Sequence, residues 1–295
     1  MPQILSAKEI APEIYQMEVD TLDIARKALP GQFVIIRTDE EGERVPLTIT
    51  DFDREQGTLT IIFQKVGKTT YDLSRLSGGD SLADVVGPLG NPSHIEKVGT
   101  VICVGGGIGA APIYPIARAL HDAGNQVITI NGAKSKNLLI LEKELDEVSD
   151  ELYITTDDGT KGRKGFVTEV LKELLESEKI DLVVVIGPAI MMKFACMTTE
   201  PFGVKTVVSL NSIMVDGTGM CGACRVEVGG ETRFCCAEGP EFDGHEVDFD
   251  LLLSRQSMYL AEEKLAMEEL EKSPRSKVQS QKVKKGKLKA GGASE

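Results

Sequence analysis

Along the first hundred residues, short β-branched and apolar runs alternate with turn formers, as in GQFVIIRT, RVPLTITDF and GTLTIIFQKV, with SLADVVGPLG following at 81–90. Runs of this length bounded by Gly, Pro and Asp predict strands of an antiparallel sheet, and their regular spacing predicts a small barrel or sandwich. From Thr100 the period changes. TVICVGGGIGAAPIYPIARALHDAG passes from an apolar strand through glycines into a helix, and NQVITINGAK, LLILEKELDEVS, ELYITTDDG, GFVTEVLKELLESEKI and DLVVVIGP continue the alternation. Buried strands separated by helical stretches predict a doubly wound parallel sheet. The stretch after it, 209–250, has many turn formers and few apolar runs, so little core can form there and a bound metal is expected to hold it. LLLSRQSMYLAEEKLAMEELEK has helical spacing with acidic residues on one face. The pattern divides the chain into a β-barrel (1–98), an α/β domain (99–208), a small metal-dependent segment (209–250), a helix (251–272) and a tail (273–295).

The chain has 295 residues, 41% hydrophobic and 27% charged, enough to bury a real core in two ordinary domains. Its net charge of −13 argues against a nucleic-acid surface, which needs a basic face. Charge is uneven. Residues 273–295 carry seven Lys or Arg against Glu295 alone, so the tail is +6 and the remainder −19, and its Lys, Ser, Gln and Gly content predicts a solvated, disordered end. There is no apolar run of membrane-spanning length, and MPQILSAKEI lacks the basic and apolar regions of a signal peptide, so a cytoplasmic protein without membrane attachment is expected. In a reducing compartment, the clustering of Cys221, Cys224, Cys235 and Cys236 points to metal or redox chemistry. Cys103 and Cys196 lie in apolar strand and helix contexts and read as small hydrophobes.

Cys221 and Cys224 place two thiolates on one tight turn, and Cys236 follows after a strand-turn-strand, so three sulfurs can converge. Where a ferredoxin-like C-x4-C-x2-C run has its first cysteine, this chain has Asp216, whose oxygen can ligate iron. Asp216, Cys221, Cys224 and Cys236 are therefore expected to hold a 2Fe-2S cluster. Glycines at 217, 219 and 222 let the backbone wrap it and aim amides at its sulfurs. Neighbours on a strand face opposite sides, so only one of Cys235 and Cys236 can point inward, and Cys236 is chosen. A structural Cys3Asp zinc site, and a binding module without redox role built on it, is the alternative from another class. A Cys221–Cys224 thiol couple is a further one.

Residues 101–112, VICVGGGIGAAP, fit G-x-G-x-x-A at a strand-to-helix turn, where glycine lets a dinucleotide approach a helix N-terminus. Alone this is a weak signal. Arg44-Val-Pro46-Leu47-Thr48 reads equally as an exposed strand edge, and Gly67-Lys-Thr69-Thr70 as a helix cap with Thr69 or Thr70 capping. Together they offer a cation, hydroxyls and helix amides to a flavin pyrophosphate.

The order PGQFV, RVPLT, GKTT, GGGIGAAP, TTDDG, IGPAIMM resembles the ferredoxin-NADP reductase superfamily. With the appended cysteine segment the chain is similar to electron-transfer subunits of dihydroorotate dehydrogenase. MVDGTGMCGACRV and EGPEFDGHEVDFD more closely resemble the small (alpha) subunits of NADH-dependent ferredoxin-NADP oxidoreductases, the sulfide dehydrogenase subunits among them; the dihydroorotate group has cysteine where this chain has Asp216. The resemblance implies an oxidoreductase subunit with FAD, a 2Fe-2S cluster and NAD(H). It implies a larger partner subunit carrying FAD and 4Fe-4S clusters, with ferredoxin and NADP(H) reached indirectly and electron bifurcation as the joint activity. It places Arg44, Pro46, Leu47 and Thr48 at the flavin ring and ribityl chain, and Gly67, Thr69 and Thr70 at its pyrophosphate. Gly106, Gly107, Ile108, Gly109 and Pro112 would form the nicotinamide nucleotide turn, with Asp157, Asp158, Gly159, Gly187, Pro188 and Met191 bordering the same crevice. No acid-base catalyst is expected. Lys134 and Lys136 depart from a simple NAD preference, since two lysines suit a 2'-phosphate.

Overall fold

Two neighbouring strands, β1 (Ile4–Ala11) and β2 (Ile14–Asp20), form the first hairpin, and a short helix α1 (Leu22–Ala25) leads to β3 (Phe33–Arg37), β4 (Val45–Asp53) and β5 (Thr58–Gln64). α2 (Lys68–Leu73) and β6 (Asp84–Leu89) complete this half. The computed structural model describes residues 1–272; the basic tail predicted at 273–295 lies outside the described residues. All strand pairs here are antiparallel, in the order β1-β2-β5-β4-β3-β6. The two ends of the sheet meet, because Gln3 bridges Ser81 and the Ile4 amide donates to the Asp80 carbonyl at 2.8 Å. The sheet therefore closes as the predicted barrel, filled by Ile4, Met17, Ile36, Ile49, Leu59, Ile61 and Phe63.

The second half follows as β7 (Thr100–Gly106), α3 (Ala110–Asp122), β8 (Gln126–Ala133), α4 (Glu142–Glu147), β9 (Glu151–Thr156), β10 (Arg163–Lys164), α5 (Val167–Ser177), β11 (Leu182–Ile186), α6 (Ala189–Thr199) and β12 (Thr206–Ser209). These strands are parallel, in the order β10-β9-β8-β7-β11-β12. The chain leaves β7 in one direction for β8 and β9, then crosses to β11 on its other side. The β7–β11 junction is thus the switch point at which open α/β sheets bind ligands. Barrel and parallel sheet share a core: Ile14 and Ile62 pack in one buried cluster with Ile113 and Ile116 of α3, and Arg118 donates to Asp51 at 2.6 Å.

Beyond β12, β13 (Arg225–Val228) and β14 (Glu231–Phe234) make a hairpin, followed by α7 (Cys235–Glu238), β15 (Glu241–Asp243), α8 (Phe249–Gln256) and α9 (Leu260–Lys272). Two features differ from the sequence expectation. The segment does join a hydrophobic core, since Cys224, Val226, Cys235, Phe249 and Leu252 lie in the same buried cluster as Ile102, Ile130 and Val185. β15 also pairs antiparallel with β12, through Val208 with Phe242 and Ser209 with Glu241, adding a seventh strand to the parallel sheet. Apolar residues scattered singly across turns carry no period to reveal this. The predicted helix 251–272 is two helices. α8 starts at Phe249, where the Asp248 carboxylate caps the Leu251 amide at 2.8 Å, and the chain breaks at 257–259, where the Ser257 hydroxyl donates to the Ser254 carbonyl at 2.7 Å.

Glu241 accepts the Ser93 hydroxyl at 2.5 Å, and burial pushes its carboxyl above the usual range. The folded state therefore favours the protonated acid, so this site stabilises fully below the unfolded value of about 4.3 and loses that stabilisation as pH rises through its raised folded value. Glu241→Gln should consequently gain stability over wild type toward neutral pH and not in acid. Urea midpoints measured from about pH 4 to pH 8 check this; a difference independent of pH contradicts it.

Candidate functional site

At the switch point, β7 runs into the Gly107–Gly109 turn and α3 begins at Ala110, bringing the N-terminal end of a 13-residue helix to the crevice. Space here is set by backbone. A β-carbon at Gly109 would run into the Ile186 carbonyl and stand 3.0 Å from the Gly187 α-carbon, so the turn and the end of β11 approach as closely as chain permits. At Gly106 a β-carbon would meet the Met191 sulfur.

A cleft of ≈ 1210 Å³ opens over this turn. From the barrel it is lined by Pro46, Leu47, Thr48 and Thr70; from the parallel sheet by Gly106, Gly107, Ile108, Gly109, Pro112, Asp157, Gly187, Pro188 and Met191. Ser209, Leu210, Asn211, Ser212 and Met214, which lead into the cysteine segment, close its far end. Phe166 and Phe194, 63% and 51% exposed, also line it, and no sequence period singled them out. Lys134 lines it as well, while the Lys136 amide is taken by the Thr160 hydroxyl at 2.9 Å.

Five predicted residues lie off the cleft wall. Gly67 is the N-cap of α2, and Thr70, at the third helical position, accepts the Val66 and Gly67 amides at 3.1 Å, so Thr70 rather than Thr69 does the capping. Thr69 reaches Glu43 at 3.4 Å. Asp158 is occupied by the Thr160 amide and hydroxyl at 3.0 and 2.6 Å, and Gly159 turns the loop at φ 75°. Arg44 points to Asp216, with Nη1 3.3 Å from Oδ1.

In the cysteine segment, Cys224 and Cys236 are buried with their sulfurs 3.1 Å apart. Cys235, equally buried, turns away and approaches the Leu210 carbonyl at 3.4 Å. Cys235 and Cys236 open the short helix α7, so the strand alternation used to separate them does not operate; consecutive helical positions diverge instead. Cys221 is exposed on the 215–223 loop, and amides of Ala223, Asp216 and Val215 hold its thiol below the usual range. The Thr218 hydroxyl and amide, then Arg44, likewise lower the Asp216 carboxyl. Burial, then the Cys224 sulfur, raises the Cys236 thiol; a coordinating metal deprotonates such a thiol outright. The loop is turned by Gly217, Gly219 and Gly222 at φ 79°, 87° and 67°. Among the described residues no three His, Cys, Asp or Glu side chains close into one donor set: Cys224 and Cys236 meet, while Asp216 and Cys221 stand on the loop above them with amides directed at their anionic forms. Two facing buried thiols and an exposed, amide-solvated thiol fit an iron–sulfur group by donor chemistry. Cys103 and Cys196 are buried, with thiols pushed up to about 12 by desolvation, as inert core residues are.

Residues 211–248 match the family model of the iron-sulfur cluster binding domain of dihydroorotate dehydrogenase B, and residues 103–197 that of the oxidoreductase NAD-binding domain. The first match sets aside the zinc alternative. A Thermotoga maritima relative, a homolog of the dihydroorotate dehydrogenase B (NAD(+)) electron transfer subunit, is 49% identical over 266 residues, 90% of this chain and 94% of its own. The Desulforamulus reducens electron transfer subunit of dihydroorotate dehydrogenase B is 35% identical over 253 residues, 83% of this chain and 96% of its own. Among solved structures, a chain of the NADH-dependent reduced ferredoxin-NADP oxidoreductase, studied for insights into flavin-based electron bifurcation, superposes with a TM-score of 0.87 at 48% identity, covering 92% of this chain and 98% of that one. The family models give an iron-sulfur cluster and a nicotinamide nucleotide as ligands of this chain. No helix among the described residues is long and apolar enough to cross a membrane.

Proposed function

Because the chain belongs to the family of dihydroorotate dehydrogenase B electron-transfer subunits and their homologues, we infer that it is the small subunit of an electron-bifurcating NADH-dependent ferredoxin-NADP oxidoreductase. In this reading it exchanges hydride with NAD(H) and single electrons with a larger subunit that carries FAD and 4Fe-4S clusters and deals with ferredoxin and NADP(H). One observation carries it: a single cleft is walled by the barrel strand β4, the glycine turn after β7 and the 209–214 run into the cysteine segment. Flavin, nicotinamide and cluster sites are thereby contiguous.

The chain divides this work along its length, with 1–98 for the flavin, 99–208 for NAD(H) and 209–250 for the cluster. Pro46, Leu47 and Thr48 form one wall for the flavin ring, with α2 behind them for its pyrophosphate. The Gly106–Gly109 turn and Pro112 hold the nicotinamide nucleotide opposite, beside Asp157, Gly187, Pro188 and Met191. Asp216, Cys221, Cys224 and Cys236 are the cluster ligands. When bound, FAD supplies hydride exchange and the cluster supplies one-electron steps. The residues contribute position and a water-poor wall, and none needs to move a proton for hydride transfer.

Anaerobic titration with NADH should bleach the visible absorption of the purified protein. Addition of the larger subunit with reduced ferredoxin and NADP+ should then give NADH oxidation coupled to ferredoxin oxidation and NADPH formation. The relatives' name favours one rival partner, the catalytic subunit of dihydroorotate dehydrogenase. Turnover with that subunit and dihydroorotate or orotate, and none with the ferredoxin system, would replace the reading. Absence of bleaching by NADH would sink both.

A further inference from the structure

Arg44 occupies a position that the resemblance assigns to the flavin, yet the fold turns it elsewhere. It lies on the connection from β3 to β4, immediately before Val45, and that connection overhangs the 215–223 loop. The preceding strand packs on the same loop: a β-carbon at Gly217 would stand 2.6 Å from the Ile35 side chain of β3. Across this contact the Arg44 guanidinium reaches Asp216 Oδ1 at 3.3 Å, with 47% and 25% of the two side chains exposed. Asp216 Oδ2 is engaged by the Thr218 amide at 3.1 Å and by the Thr218 hydroxyl. Arg44 itself does not line the cleft.

We propose that Arg44 is a positioning residue for the cluster, acting through Asp216, and not a flavin ligand. The inference rests on Asp216 being a cluster ligand. Donors that bind the free oxygen of a ligating carboxylate fix its orientation and tune the metal. A fixed positive charge there also favours the reduced, more negative cluster. Arg44 directly precedes the strand that forms the flavin wall, so the chain passes from the one redox site to the other within a few residues.

Arg44→Gln and Arg44→Lys, alone and with Asp216→Asn, test this by three measurements on purified protein: FAD per chain, iron per chain, and the cluster midpoint potential from an EPR-monitored titration. Arg44→Gln should keep FAD and iron at wild-type content and shift the cluster potential to more negative values. Arg44→Lys, which retains the charge, should return most of that shift. In the Asp216→Asn background the Arg44→Gln shift should shrink, leaving only the through-space effect of the lost charge, and an undiminished shift overturns action through Asp216. Loss of FAD with an unchanged potential, or no change in either, overturns the proposal and returns Arg44 to the flavin or to the solvent. Should Arg44→Gln yield no folded protein, Arg44→Lys decides: a lysine cannot reproduce a guanidinium fork on phosphate, so FAD loss with an unmoved potential rejects the proposal, and full FAD with a near-wild-type potential supports it. An Asp216→Asn protein with unaltered iron content and EPR signal would show that Asp216 is no ligand, a separate failure.

Discussion

Gly109→Ala is expected to weaken NADH binding by about 5- to 150-fold, the equivalent of the roughly 1–3 kcal/mol that overpacking costs when it falls on one site. The added carbon has no side chain to displace. It meets the Ile186 carbonyl and the Gly187 α-carbon, both backbone at the end of β11, so relief requires the glycine turn and β11 to separate. That separation opens the crevice in which the nicotinamide would lie between Gly106–Gly109 and Gly187–Pro188. Gly107→Ala is the contrasting variant: a β-carbon there meets no protein atom within 4 Å, so it leaves the turn and β11 together and adds only the strain of φ +58° and a methyl group on the cleft wall. Anaerobic titration of flavin bleaching, with iron per chain measured alongside, checks the pair. Equal NADH affinity in Gly109→Ala and wild type would remove the glycine turn from the nucleotide site.

The second large effect concerns metal retention. Cys236→Ser should lose the visible absorption and iron of the cluster, whereas Cys235→Ser should keep both. The reasoning is geometric, since the Cys236 sulfur faces Cys224 at 3.1 Å and the Cys235 sulfur is directed to the Leu210 carbonyl. A serine hydroxyl at 235 can make the same contact in a site of the same shape, so the cost there is small. Iron and sulfide analysis of the two variants after anaerobic purification gives the answer. Iron retained in Cys236→Ser and lost in Cys235→Ser would reverse the ligand choice.

How much of this was legible in the sequence depends on whether a feature is periodic. The strands GQFVIIRT and GTLTIIFQKV announce themselves as short apolar runs between turn formers. Nearly every residue in them is buried because alternate side chains enter different cores, Val34 and Ile36 the barrel and Phe33 and Ile35 the parallel sheet's. The parallel sheet announces itself because its strands are buried on both faces. The glycine turn was readable as well, although its reason was not: Gly109 is fixed by the approach of β11, a strand that comes 73 residues later. Contacts between single residues far apart in sequence stayed hidden. Arg44 with Asp216, Ser93 with Glu241, and Val208 with Phe242 each join segments that no local pattern relates. The choice of Cys236 rested on strand alternation, and the structure supplies a different ground, a helical turn that sends adjacent sulfurs apart.

β15 gives the cysteine segment a second role. Three residues, Glu241, Phe242 and Asp243, cover the outer hydrogen-bonding edge of β12. If the segment came loose on losing its metal, that row of amides and carbonyls would face solvent and offer a template to a strand from another molecule. Cofactor retention and colloidal behaviour would then be linked: protein that has lost its cluster would also be prone to self-association, and the occupancy of a redox centre would become a measure of how well the sheet's border is guarded.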